Sequence, residues 1–109
     1  MAVYVDDMYK LPIGQFKRMK MSHMIADSEG ELHQMADKIG LRRAWYQGDH
    51  YDISLTHRKI AVQEGAIEVG YHQLAYMSKR QKIEGHCGKP EEAKQWYREY
   101  RRKIKGKKL

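Results

Sequence analysis

The stretch "SEGELHQMADKIG", residues 28–40, writes both ends of a helix into the chain and so limits what its neighbours can be. Ser28 and Glu31 form a capping box, in which a hydroxyl and a carboxyl satisfy amides that a first turn leaves unpaired. Leu32, Met35, Ala36 and Ile39 follow at helical spacing, and Gly40 supplies the left-handed stop. An amphipathic helix this short needs an apolar surface to lie on. The preceding segments offer one. "VYV" at 3–5 is β-branched and aromatic, and "MKMSHMIAD" at 19–27 reads as a second strand with Met19, Met21, His23 and Ile25 on one face.

The alternation continues downstream. "RAWYQ" at 43–47 reads as a third strand, Gly48-Asp49 as a turn before the extended "HYDIS", and "AIEV" at 66–69 as a fourth strand. Ser54 or Thr56 caps a second helix running to about Glu64, with Leu55, Ile60 and Ala61 inward and Gly65 as its stop. A third helix spans roughly Tyr71 to Lys79, with Tyr71, Leu74 and Ala75 on one side. Between the first two strands, "MYKLPIGQFKR" sets Pro12 and Gly14 among cations and reads as an exposed loop. The expectation is an α/β or α+β fold: a sheet of about four strands with three helices over residues 1–80, and a basic amphipathic helix and tail over 81–109.

At 109 residues, 41% hydrophobic and 32% charged, the chain suffices for one domain with a modest core. No apolar run approaches the roughly 18 residues of a membrane span, and "MAVYVDDMYK" lacks the pattern of a signal peptide. The one cysteine, Cys87, fits a reducing compartment. A cytoplasmic location without a membrane partner is therefore expected.

The net charge of +7 is unevenly placed. Residues 1–78 hold nine Lys/Arg against ten Asp/Glu, and residues 79–109 hold twelve against four, so the whole excess lies behind Ser78. Pro90, Glu91 and Glu92 suit a first helical turn. Ala93, Trp96, Tyr97, Tyr100 and Ile104 then form an aromatic stripe, and Lys94, Arg98, Arg101, Arg102, Lys103 and Lys105 cover the rest. These cations, with Lys17 and Arg18 of the loop, are the candidate nucleic-acid contacts; a merely solvated basic end has equal weight. Trp96, Tyr97 and Tyr100 are the candidate partner contacts, docking on the body, on a second copy in a homodimer, or on a host protein.

If the sheet is largely parallel, the carboxyl ends of its strands gather Asp6, Asp7, Asp27, Asp49, His50 and Asp52, with His23 and Arg58 nearby. Aspartate and histidine are ligands for Mg²⁺, Mn²⁺ or Zn²⁺, and carboxylates around a cation can position a phosphodiester and activate water. Asp6, Asp7, His23, Asp27, His50 and Asp52 are thus candidate metal ligands, and Asp6, Asp7, His50, Asp52 and Arg58 candidate catalytic residues. Arg58 would neutralise a phosphate held near the second helix's N-terminus. Plainer readings stand beside these: Asp27 and Asp52 as helix caps, His23 as a packed histidine, Trp45 and Tyr51 as core, and His33 on an exposed helix side. His57, His72 and His86 show no ligand partner, and Ser54 no base.

"MAVYVDD", "SHMIADSEGELHQMADKIG" and "WYQGDHYDISLTHRKIAVQEGA" closely resemble the short phage and bacterial proteins grouped as domain of unknown function 4031, over roughly residues 1–76. The resemblance implies a pattern of Asp6, Asp7, His23, Asp27, Trp45, His50, Tyr51, Asp52 and Arg58, and a phage context in which the location would be the host cytoplasm. It brings no assigned activity. The loop "YKLPIGQFKR" looks longer than the family's usual connection, and the basic tail lies outside the pattern. Three functions are expected in turn: a nucleic-acid-associated accessory protein with a metal-dependent phosphoesterase or nuclease site, a non-catalytic modulator of a host protein, and an anion- or nucleotide-binding module without turnover.

Overall fold

The computed structural model describes residues 2–107. A five-stranded mixed sheet is built from β1 (Val3–Val5), β2 (Gln15–Phe16), β3 (Met19–Ala26), β4 (Tyr51–Ser54) and β5 (Ile67–Glu68). Four helices, α1 (Glu29–Ile39), α2 (Leu55–Gln63), α3 (Tyr71–Glu84) and α4 (Ala93–Lys107), complete an α+β fold. β3 is the axis of the sheet. It pairs antiparallel with β1 and β4 and forms a hairpin with β2, while β1 and β5 pair in parallel.

The pleat divides the core into two layers. Val3, Val5, Met24, Ala26, Tyr51 and Ile53 alternate onto one face and bury Leu32, Met35, Ala36 and Ile39 of α1 and Ala61 of α2. Tyr4 and Ile25 point to the other face, where they meet Leu74 and Met77 of α3, Cys87, and Ala93 at the start of α4. Helices therefore cover both sides of the sheet.

The helix at 28–40 forms as its residues dictate. Ser28 Oγ accepts the Glu31 amide at 3.2 Å and donates to that residue's carboxylate at 2.9 Å, and Gly40 closes the helix at φ +86°. Ser54, not Thr56, caps α2. The third helix is longer than its apolar spacing implied and runs on to Glu84, because its later turns face α4. Residues 43–47 are not a strand. Arg43–Trp45 make a 3-10 turn and only Tyr46 bridges to Tyr51, so the segment lies along the free edge of β4 without entering the sheet. The loop after β1 is ordered as two 3-10 turns, Met8–Lys10 and Pro12–Gly14, leading into the β2–β3 hairpin. Gly14 is required there, since a Cβ would come within 2.2 Å of the Met8 carbonyl oxygen.

The segment after α3 belongs to the core. Cys87 is fully buried, its thiol bonded to the Ala26 carbonyl at 3.4 Å and its amide to Asp27 at 3.0 Å. Burial, with the neighbouring Asp27 carboxylate, pushes the Cys87 thiol up to about 12, and burial does the same to the Tyr4 hydroxyl. Both groups stay protonated in the fold while the unfolded chain releases its protons near their ordinary values of about 8.5 and 10. The sign follows: the stabilisation is complete below pH 8.5 and drains away as pH rises towards 12. Chemical denaturation between pH 8 and 11 should show stability falling by about 1 kcal/mol per pH unit above pH 9, with Cys87→Ala flattening the fall.

Candidate functional site

His23 lies in the middle of β3, and the register sets a carboxylate on either side of it. Asp52 of β4 is its direct cross-strand partner, and the Asp6 amide just beyond β1 bonds the His23 carbonyl at 3.1 Å. All three side chains fall on the face covered by α3. His50 precedes β4 and, two residues before Asp52, presents its ring to the same face.

The hydrogen bonds give each imidazole a direction. Asp6 is fully buried, and its Oδ2 bonds His23 Nδ1 at 2.8 Å while its Oδ1 accepts the amides of His23 and Met8 at 2.9 and 3.2 Å. Asp49 Oδ1 holds His50 Nδ1 in the same manner, and Asp49 Oδ2 pairs with Lys82 of α3 at 2.6 Å. With both Nδ1 atoms engaged, the two Nε2 atoms turn towards Asp52 Oδ1, at 3.7 Å from His23 and 3.3 Å from His50. The rings sit edge to face with centroids 5.1 Å apart. One ligand atom from each of His23, His50 and Asp52 lies within 4.8 Å of the others.

The electrostatics follow from these contacts. The hydrogen bond from Asp6 raises the His23 pKa, outweighing the burial that lowers it, with Asp52 and Asp49 adding to the rise. Burial raises the Asp49 pKa, but the hydrogen bonds from Lys82 and His50 prevail and hold it below the usual carboxylate range. A cleft of about 240 Å³ opens beside the two histidines, walled on its far side by Tyr71, Leu74 and Ser78 of α3.

Of the sequence candidates, Asp6, His23, His50 and Asp52 come together. Asp6 stands behind His23 and not at the open end of the cluster. Asp7 accepts the Tyr71 amide at 2.8 Å and so anchors the start of α3. Asp27 is at the opposite end of the sheet: β3 runs antiparallel to β1, so its carboxyl end lies beside Ala2, and Asp27 bonds Cys87. The convergence expected of a parallel sheet is therefore only partial, and it leaves out Asp7 and Asp27. Arg58 is buried under the sheet, donating to the Asp6 carbonyl and to Glu68, both at 2.8 Å, with its guanidinium 4.9 Å from the Tyr9 ring centroid. It faces no open surface where a phosphate would lie.

Several plainer readings also change. Neither Asp27 nor Asp52 caps a helix, because Ser28 and Ser54 do so. Tyr51 is core, whereas Trp45 is 44% exposed. His33 is half-buried and bonds the Tyr51 hydroxyl at 2.8 Å. Ser54 Oγ lies 2.9 Å from His57 Nδ1, a pair the spacing alone did not suggest, but that hydroxyl also serves as the cap of α2. Lys82 and Tyr71 were missed, since only packing brings α3 across the sheet to meet β3 and His50.

On α4, Trp96, Tyr97 and Tyr100 face α3. Tyr97 stacks on Tyr76 at 4.6 Å, Trp96 donates to Glu84 at 2.5 Å and lies under Arg80, and Lys79 sits over Tyr100. The opposite side carries Arg98, Arg101, Arg102 and Lys105, which line a shallow cationic groove of about 220 Å³. Lys94, Lys103 and, on the β2–β3 hairpin, Lys17 and Arg18 are exposed as well.

A small α+β protein with a two-histidine, three-carboxylate cluster on one sheet face is the class these features define. Residues 3–81 match the family described as protein of unknown function (DUF4031), and the chain belongs to it. No curated protein and no solved structure matches the chain. No helix among the described residues is long and apolar enough to cross a membrane.

Proposed function

We propose that the chain is a divalent-metal-dependent phosphoesterase acting on nucleic acid, with His23, His50 and Asp52 as metal ligands. The observation that carries this reading is the pair of carboxylate-backed imidazoles. Asp6 and Asp49 each occupy an Nδ1, fix the ring, and leave Nε2 directed at a shared carboxylate, which is how proteins orient metal-ligating histidines. Two imidazoles and one carboxylate leave coordination positions open for water and a substrate oxygen. The imidazoles favour Zn²⁺ or Mn²⁺ over Mg²⁺, which prefers oxygen ligands.

Such a metal would lower the pKa of a bound water and polarise a phosphoryl oxygen. The protein's own groups would do the rest: Asp6 and Asp49 set the tautomers, Lys82 holds Asp49, and the cationic face of α4 provides a track for a phosphate backbone. The docking of Trp96, Tyr97 and Tyr100 on α3 counts against a host-protein contact through the same stripe. Nothing comparable favours the modulator reading.

The test is isothermal titration of Mn²⁺ and Zn²⁺ into chelator-treated protein, followed by a phosphodiester hydrolysis assay with the metal that binds. One saturable site is expected, with His50→Ala and Asp52→Asn each weakening it by about 100-fold or more. An absence of binding at millimolar metal would sink the reading and leave the cluster as a hydrogen-bonded ion network.

A further inference from the structure

The face that carries His23 is only partly roofed. Ile25 lies under α3, whereas Met21 and Met19, which alternate onto the same face further back along β3, lie outside that layer, Met21 half-buried and Met19 exposed. Opposite them on β4, Ser54 pairs with Met21 in the same register that pairs Asp52 with His23. A groove of about 430 Å³ runs here, floored by Met19 and Met21, walled by Phe16 and Trp45, and bounded by Asp52. It begins where the metal cluster ends, because Asp52 belongs to both.

The lining is unusual for a surface. Phe16, Met19 and Trp45 are 58%, 48% and 44% exposed. Cations are interleaved with the aromatics: the Lys17 ammonium lies 5.6 Å from the Phe16 ring centroid and the Arg42 guanidinium 6.0 Å from that of Trp45. Arg18 completes the hairpin turn, where Lys17 holds a left-handed φ of 56°. Flat apolar faces beside positive charges are what unpaired bases and their phosphates require, and stacked duplex bases cannot enter such a groove.

We infer that this groove is a nucleobase subsite, and that the polymer bound beside the His23–His50–Asp52 cluster is single-stranded. The inference takes its position for the reacting phosphate from the reading proposed above, and it names the substrate class of that site. A base stacked on Trp45 sets its phosphate at the Asp52 end of the groove, while Lys17, Arg18 and Arg42 hold the neighbouring phosphates. Exposed Trp45 is free to respond to a ligand without disturbing the core.

Trp45 and Trp96 are the chain's two tryptophans, so Trp96→Phe makes Trp45 the sole indole reporter. A twelve-nucleotide oligothymidylate and a hairpin duplex of equal length are titrated into this variant at low salt, with and without Trp45→Ala tested by anisotropy of labelled oligonucleotide. Expected is saturable quenching by the single strand alone, with Trp45→Ala weakening binding about tenfold and leaving Mn²⁺ affinity unchanged. Equal binding by Trp45→Ala, or equal quenching by the duplex, overturns the inference. So does a concentration-dependent dimer that Trp45→Ala dissolves, since a second copy would then fill the groove. If no metal binds but single-strand binding still depends on Trp45, the subsite stands and the metal-dependent activity falls; metal binding with Trp45-independent oligonucleotide binding gives the reverse.

Discussion

Asp6→Ala should cost about 3–5 kcal/mol of folding stability, the largest loss expected from any single polar substitution in the chain. The carboxylate is fully buried and receives two backbone amides and the His23 ring, so its removal strands two main-chain donors and leaves the half-buried imidazole without its anchor. The Asp6 backbone carbonyl, which the substitution leaves in place, still accepts from Arg58 and ties α2 to the end of β1. Asp6→Asn separates the two roles of the side chain. It keeps the size and one acceptor, so the loss of stability should be smaller, but the His23 ring loses its charged partner. Urea denaturation reads the first effect. Titration with Mn²⁺ or Zn²⁺ reads the second, as a 10–100-fold drop in affinity for Asp6→Asn. Unchanged stability of Asp6→Ala would show that the hydrogen bonds to this carboxylate are worth no more than the cavity that replaces it.

Removing residues 88–109 should destabilise the body as well as discharge it. Ala93 is 1% exposed and packs with Tyr4, Ile25, Leu74 and Met77, and the stacked pair Tyr76–Tyr97 closes the outside of that layer. Uncovering even two or three such side chains costs about 5 kcal/mol at 1.5–3 kcal/mol each. Truncation is therefore a poor test of the tail's charge. Arg98→Glu, Arg101→Glu and Arg102→Glu together lie on the solvent side of α4 and should leave the melting transition within about 3 °C of the parent. The same triple change should weaken oligonucleotide binding strongly and reduce the slope of log affinity against log salt by about three. A truncated chain as stable as the full one would show that α4 is an appendage; a triple variant with the parental salt slope would remove the basic face from nucleic-acid binding.

Local chemistry made α1 and α2 legible. Ser28, Glu31 and Gly40 act within one helix, as do Ser54 and the turn it caps, so their effects need no knowledge of the rest of the chain. Composition likewise located the cations behind Ser78, and spacing set the aromatic stripe of α4 on one side and the arginines on the other. His50 and Asp52 shared a face because an extended chain alternates. What local pattern could not give was direction. Whether β3 runs with or against β1 decides whether Asp27 joins Asp6 or stands at the far end of the sheet, and that depends on pairing between segments about twenty residues apart.

The same holds for the misread strand at 43–47. Trp45 and Tyr46 have strand propensity, yet the edge of β4 accepts only one bridge there, so Trp45 is left exposed over a groove and does not pack in the core. By itself, then, the sequence determined the helix boundaries with their own caps, the charge division, and the residue types suited to a metal. The tertiary structure decided which carboxylate backs which imidazole: register placed His23 between Asp6 and Asp52, and the packing of α3 brought Lys82 to Asp49. Hydrogen-bond geometry at a site is set by contacts between distant segments, and no pattern within one segment encodes it.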